Sequence, residues 1–125
     1  MTRQAITAEG AAVVGPYSQG VRAGEFVYFS GQTPLDPATG RLLEGGVGAQ
    51  TEQCFKNLFA VLKAAGLTPD QVVKANVFLT DMADFAAMNE VYAQQFSKPF
   101  PARTTIGVAS LPLGARIEIE LIARA

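Results

Sequence analysis

The chain has 125 residues, 49% of them hydrophobic and 17% charged, with 10 Lys plus Arg against 11 Asp plus Glu for a net charge of −1. It has no His, no Trp and one Cys, which removes Ser–His–Asp and Cys–His nucleophile systems, the usual zinc ligand sets and any intrachain disulfide. One domain spanning 1–125 is expected, and any chemistry must come from Arg, Lys, Asp, Glu, Tyr, Ser, Thr or the backbone.

In chain order, the N-terminus holds only a short apolar run, Ala-Ala-Val-Val at 11–14. That is too short for a signal core, and no stretch approaches the roughly 20 apolar residues of a spanning helix, so a soluble cytoplasmic protein is expected. Arg3–Ile6 and Ser18–Arg22 are weak strand candidates, and Phe26–Ser30 is a stronger, aromatic one. Val47–Ala65 carries Phe55, Leu58, Phe59 and Leu62 at helical spacing, with Lys63 and then Gly66 as stop signals. Val72–Thr80 alternates as a strand. Ala83–Phe96 presents Phe85, Met88, Tyr92 and Phe96 on one helical face, with Asp81 and Asp84 as first-turn or capping carboxylates. Arg103–Ala109 and Arg116–Ala123 alternate again, and Leu111–Gly114 predicts a hairpin between them, with a loop of about four to six residues.

The order ββ(β)–α–β–α–ββ predicts an α+β fold, a mixed and mostly antiparallel sheet with two helices on one face. The other face would carry Phe26 or Val27, Phe78, Thr105, Gly107 and Ile122 beside Arg103 and Glu118. Such a half-apolar face fits a subunit interface, although scattered exposed apolar residues are also common. The basic residues form no stripe, so nucleic-acid binding is not expected.

Arg103 opens a strand and, by alternation, points away from the helices with Thr105 and Glu118 as neighbours. There it could clamp a carboxylate bidentately or simply pair with Glu118. Glu118 and Glu120 share a strand face, where two carboxylates can divide acid and base roles or form a solvated face. Gly15-Pro16-Tyr17-Ser18-Gln19 is a rigid turn presenting a phenol, or an ordinary turn with a packed Tyr. At Ser30-Gly31-Gln32 the glycine permits a close backbone approach to a ligand, or merely relaxes a strand end. Asn89 and Lys74 read by default as exposed, and Cys54 as a buried structural thiol. No P-loop or GxGxxG is present.

Taken together, these pieces resemble the RidA (YjgF-like) family of reactive-intermediate deaminases. The resemblance rests on Gly15-Pro16-Tyr17-Ser18-Gln19-Gly20, Ser30-Gly31-Gln32-Thr33-Pro34, Ala64-Ala65-Gly66-Leu67, Val73 to Asp81, Phe85-Ala86-Ala87-Met88-Asn89, Phe100-Pro101-Ala102-Arg103-Thr104-Thr105, and Leu111-Pro112 followed by Ile117-Glu118-Ile119-Glu120. These run in family order over nearly the whole chain. The resemblance implies a chorismate-mutase-like homotrimer with sites at subunit interfaces. It implies hydrolysis of 2-imino acids and their enamine tautomers, such as 2-iminobutanoate and 2-iminopropanoate, to 2-keto acids and ammonia, with no cofactor and no metal. In that reading Arg103 binds the substrate carboxylate and Glu118 activates water. Tyr17, Ser30, Gly31, Thr105 and Asn89 contact the ligand. Thr105 stands where some members carry Cys, so a thiol is ruled out there. The alternatives are a related deaminase of aminomuconate-type substrates and a non-catalytic ligand-binding or chaperone-like trimer. No nucleic-acid or membrane partner is implied.

Overall fold

The apolar spacing seen in the sequence builds α1 (Val47–Ala64), which buries Cys54, Phe55, Leu58, Val61 and Leu62 against the sheet. The computed structural model describes residues 2–10, 13 and 15–125; Ala11, Ala12 and Val14 of the short N-terminal apolar run lie outside them. α1 stops where the sequence says it should. Gly66 takes φ 77°, a left-handed conformation that glycine adopts without penalty. Its N–H donates to the Lys63 carbonyl at 2.9 Å, and the Leu67 N–H donates to the Leu62 carbonyl at 3.1 Å. The Arg22 guanidinium also donates to the Ala65 carbonyl at 2.8 Å, placing a cation at the negative end of the helix.

The second helix is shorter than its apolar stripe suggests. The Ala83 N–H donates to Asp81 Oδ1 at 2.9 Å, starting a 3-10 turn at Met82–Asp84 that leads into α2 (Phe85–Ala93). Phe96 lies beyond α2 but still packs into the core, with ring centroids 5.3 Å from Tyr92 and 5.7 Å from Phe55.

Among the described residues eight strands follow one another: β1 (Gln4–Ile6), β2 (Gly20–Ala23), β3 (Phe26–Gln32), β4 (Leu35–Asp36), β5 (Arg41–Leu42), β6 (Val72–Leu79), β7 (Ala102–Gly107) and β8 (Ile117–Arg124). Six of them form one sheet in the order β1-β2-β3-β8-β6-β7, and β4 and β5 form a separate small ribbon that the sequence did not suggest. The pairs are antiparallel except β6 with β7, which is parallel. The α+β class and mixed sheet therefore stand. The predicted β7–β8 hairpin does not, because β6 lies between them; the connection turns at Pro112–Gly114 but crosses a neighbouring strand instead of closing a hairpin.

One face of the sheet packs on the helices. Val27, Phe29, Ala75, Val77, Leu79, Ile117, Ile119 and Leu121 alternate onto it and are buried. Each of the Val, Leu, Ile and Phe side chains among them contributes about 1.5–3 kcal/mol by leaving water. On the opposite, open face Phe26 and Tyr28 are 39% and 48% exposed, and Ile106 is 45% exposed. The sequence left Phe26 and Val27 undecided; Val27 is in the core.

The register corrects one expectation about the open face. Arg103, Thr105 and Gly107 pair with Ala75, Val77 and Leu79, so all three face the helices rather than the open side. On this edge strand the apolar Ile106 points outward, while the glycine at 107 lets the Met82 side chain pack against the strand (a Cβ there would come within 3.2 Å of Met82 Cγ). No helix among the described residues is long and apolar enough to cross a membrane.

Candidate active site

The predicted site residues fall into two groups on opposite faces of the sheet. The first gathers at the end of the open face. Glu118 and Glu120 lie on β8 opposite Phe78 and Asn76 of β6. Beside them β3 bulges between Phe29 and Gln32, which carries Ser30 and Gly31 out of regular pairing with β8. Ser30 Oγ donates to the Ser18 carbonyl at 2.6 Å, and its N–H donates to the Gln19 carbonyl at 3.0 Å. These bonds fasten the Gly15–Gln19 turn to β3 and bring Tyr17 to the same hollow. The result is a cavity of about 420 Å³ lined by Tyr17, Ser30, Gly31, Glu118 and Glu120, with Leu35, Pro112 and Leu113 along its side.

Gly31 is required here by space. A Cβ at this position would collide with the Glu118 carboxylate, so only glycine lets that carboxylate lie against the strand. Glu118 is half-buried, and among the described residues no cation forms a salt bridge with it. Burial first, and the neighbouring Glu120 charge second, raise its carboxyl above the ordinary range. Glu120 is held apart from this role by Asn76, whose Nδ2 donates to Glu120 Oε1 at 3.2 Å. An acid of raised pKa in a polar-floored cavity is suited to taking up and returning a proton.

The second group lies under α2. Arg103 reaches up from β7, and its guanidinium donates to Asn89 Oδ1 at 2.6 Å. Its central carbon is 4.6 Å from the Tyr92 ring centroid and 5.6 Å from that of Phe85. Phe85, Asn89 and Tyr92 are four and three residues apart, so one face of α2 supplies all three contacts. Burial pushes the Tyr92 phenol up, against the opposing pull of the Arg103 cation. Arg103 borders a hollow of about 320 Å³ with Asn89, Tyr92, Ala93, Phe100 and Pro101. Among the described residues no carboxylate pairs with it. Most of its N–H donors therefore remain available to an anion.

The structure thus joins Tyr17, Ser30, Gly31 and Glu118 in one cavity and Arg103 with Asn89 in another. It does not join Arg103 to Glu118. The expectation that they share a sheet side is overturned by the parallel β6–β7 register, and the alternative of an Arg103–Glu118 ion pair falls with it. Thr105 borders neither cavity; it pairs with Val77, and its Oγ1 is buried without a hydrogen-bond partner. Sequence reasoning took Phe85 and Tyr92 as core residues only. Their spacing about Asn89 was the signal that they also cradle a cation. Cys54 is fully buried, and burial followed by the Glu118 charge drives its thiol far up.

Comparison with known proteins gives the arrangement its relatives. The family model described as "Endoribonuclease L-PSP" matches residues 7–125. A goat (Capra hircus) protein named 2-iminobutanoate/2-iminopropanoate deaminase is 50% identical over 117 residues, covering 94% of this chain and 85% of that protein. The crystal structure of RidA from the Antarctic bacterium Psychrobacter sp. PAMC 21119 superposes with a TM-score of 0.93 at 49% identity, covering 98% of this chain and 99% of that one. The structure of E. coli TdcF with bound serine superposes with a TM-score of 0.92 at 40% identity over 98% of both chains. The chain belongs to the YjgF/RidA family.

Proposed function

We propose that this chain, acting as one domain over 1–125 in the cytoplasm, is a hydrolase of carbon–nitrogen bonds. It converts 2-imino acids and their enamine tautomers to 2-keto acids and ammonia, in an assembly whose sites are shared between copies. The observation that carries this reading is the placement, on opposite faces of one sheet, of Arg103 and Glu118, neither of which forms a salt bridge among the described residues. One small substrate cannot reach both within a single chain. It can reach both where the Glu118 cavity of one copy meets the Arg103 hollow of the next, and the exposed Phe26, Tyr28 and Ile106 supply apolar area for such a contact. A homotrimer, the assembly that the sequence resemblance implies, is the one we propose.

In this scheme Arg103 holds the carboxylate of the imino acid through its planar fork, and Asn89 keeps the fork in place. Water adds to C2 of the protonated imine while Glu118 takes the proton that the water loses. Glu118 then returns the proton to nitrogen. The C–N bond then breaks with its electron pair going to nitrogen, while Glu118 takes the hydroxyl proton and the O–H pair closes the C2=O bond; the 2-keto acid leaves, and ammonia takes that proton away as ammonium, which restores the carboxylate. A 2-iminium is already electrophilic, so positioning and one acid–base group supply the help needed, about 10²- to 10⁴-fold. Tyr17, Ser30 and Gly31 complete the ligand contacts. The serine bound to E. coli TdcF supports a site for a small amino-acid-like carboxylate in this fold. The two carboxylates of the larger cavity oppose a polyphosphate chain, which favours the imine over the nucleic acid suggested by the family model's description. A substrate panel that includes aminomuconate-type imines separates the two deaminase readings.

The test mixes two impaired variants, Arg103→Lys and Glu118→Gln, after unfolding and refolding them together, and assays them at substrate well below KM. Imine is generated in situ by an amino-acid oxidase, and keto-acid release is followed. With shared sites, randomly mixed trimers regain about a quarter of the wild-type sites. No recovery, from a mixture shown to have exchanged subunits, would refute the shared site.

A further inference from the structure

The wall of the Glu118 cavity carries a residue whose cost to the fold has no return inside the chain. Leu113 sits at φ 62°, ψ 13°, the one non-glycine residue of positive φ among those described. It is also 60% exposed, more than any other large hydrophobic described. A γ-branched residue is crowded in the left-handed region, where glycine or asparagine is at ease, and an exposed leucine gains nothing from burial. Leu113 belongs to no core cluster. The turn Pro112–Gly114 nonetheless holds it at the edge of the cavity, beside Pro112 and on a wall shared with Tyr17 and Leu35. Strained backbone of this kind collects at functional positions.

We infer that Leu113 is a specificity-determining residue, packing against the side chain of the imino acid and favouring aliphatic chains longer than a methyl group. The inference rests on the deaminase reading above. A 2-imino acid has three groups on its reacting carbon: the carboxylate, the nitrogen and the side chain. With the carboxylate on Arg103 of a neighbouring copy and the reacting carbon at Glu118, the side chain is left for the apolar wall. The lining combines apolar Leu35, Pro112 and Leu113 with polar Ser30, Gln32, Thr33, Glu118 and Glu120, so the cavity offers both environments to one small molecule. An apolar pocket discriminates by about tenfold or more per methylene.

The experiment compares kcat/KM for imines generated in situ from alanine, leucine and methionine. It uses the wild type, Leu113→Asn, which is tolerant of the left-handed turn, and Leu113→Gly, which frees it. Both variants are first checked by thermal melting and by light scattering, and both should melt at or above the wild-type temperature. The expected result is a loss of about tenfold for the leucine- and methionine-derived imines in both variants, with the alanine-derived imine within about twofold of wild type. An unchanged leucine-to-alanine ratio overturns the inference. So does a change in the mass of the assembly, which would assign Leu113 to the contact between copies instead. A wild type that accelerates no imine at all brings down the deaminase reading itself, and that arm is read before any variant is made.

Discussion

The two hollows treat charge in opposite ways. Arg103 is surrounded by neutral groups that welcome a cation: the Asn89 amide oxygen and the faces of Tyr92 and Phe85. Its charge is permanent and its orientation is fixed. Glu118 is surrounded by what a carboxylate tolerates badly: a half-buried position and a second carboxylate at Glu120. Its charge is conditional. A clamp needs the first environment and a proton carrier needs the second, and the sheet keeps them apart so that neither neutralises the other. Had Arg103 and Glu118 shared a face as first expected, the cation would have lowered the Glu118 pKa and spent its own donors on it.

The largest expected effect comes from removing the conditional charge. Glu118→Gln should lower kcat on a 2-imino acid by about 10²- to 10⁴-fold while binding of a 2-keto acid, measured by calorimetry, weakens much less. In the wild type, kcat should fall on the acid side around a pH above the value of about 4.3 for an ordinary glutamate. Equal losses in kcat and in keto-acid binding would remove Glu118 from the proton-transfer role.

Weakening the permanent charge comes next. Arg103→Lys keeps one positive charge but loses the fork, and kcat/KM should drop by about 10- to 100-fold, mostly through KM. A variant as active as wild type would refute the carboxylate clamp. The surroundings of the clamp matter less. Tyr92→Leu removes the ring under the guanidinium and should raise KM by about three- to tenfold. Tyr92→Phe keeps the ring and discards a hydroxyl that is buried without a partner, so KM should stay at the wild-type value and the melting temperature should not fall. If Phe fails to rescue what Leu loses, the ring is not what positions Arg103.

The smallest effect sharpens the contrast from the side of stability. A carboxyl whose pKa is raised by folding binds its proton more tightly in the native state. Glu118 therefore costs stability as pH rises from the ordinary carboxylate range through its raised value, and that cost is absent below the ordinary range. Glu118→Gln should raise the melting temperature at neutral pH, with the gain shrinking toward pH 4. A gain independent of pH would point to packing instead.

Much of this was visible in the residues themselves. Strand positions followed from alternation, α1 from its stripe and its Lys63–Gly66 ending, and Gly31 from its place beside Ser30. What failed was orientation. Alternation says which residues share a side, and burying apolar residues says which side, but β7 is an edge strand, and there the second rule inverts. Ile106 faces out, while Arg103, Thr105 and Gly107 face the helix side of the sheet. The missing hairpin has a related cause, because β8 enters the sheet between β3 and β6, a long-range pairing with no local signature. The split of the site between two faces was invisible for the same reason: it depends on the parallel register of one pair of strands.

Cys54 gives the fold a further property. Its thiol is enclosed in the core and pushed far from ionisation by that enclosure and by the Glu118 charge. The thiolate is the form that attacks electrophiles and is first to be oxidised. The only sulfhydryl in the chain is thus kept dormant beneath the carboxylate that is to steer water onto an electrophilic carbon. On this scheme that cysteine stays shielded from alkylation and oxidation.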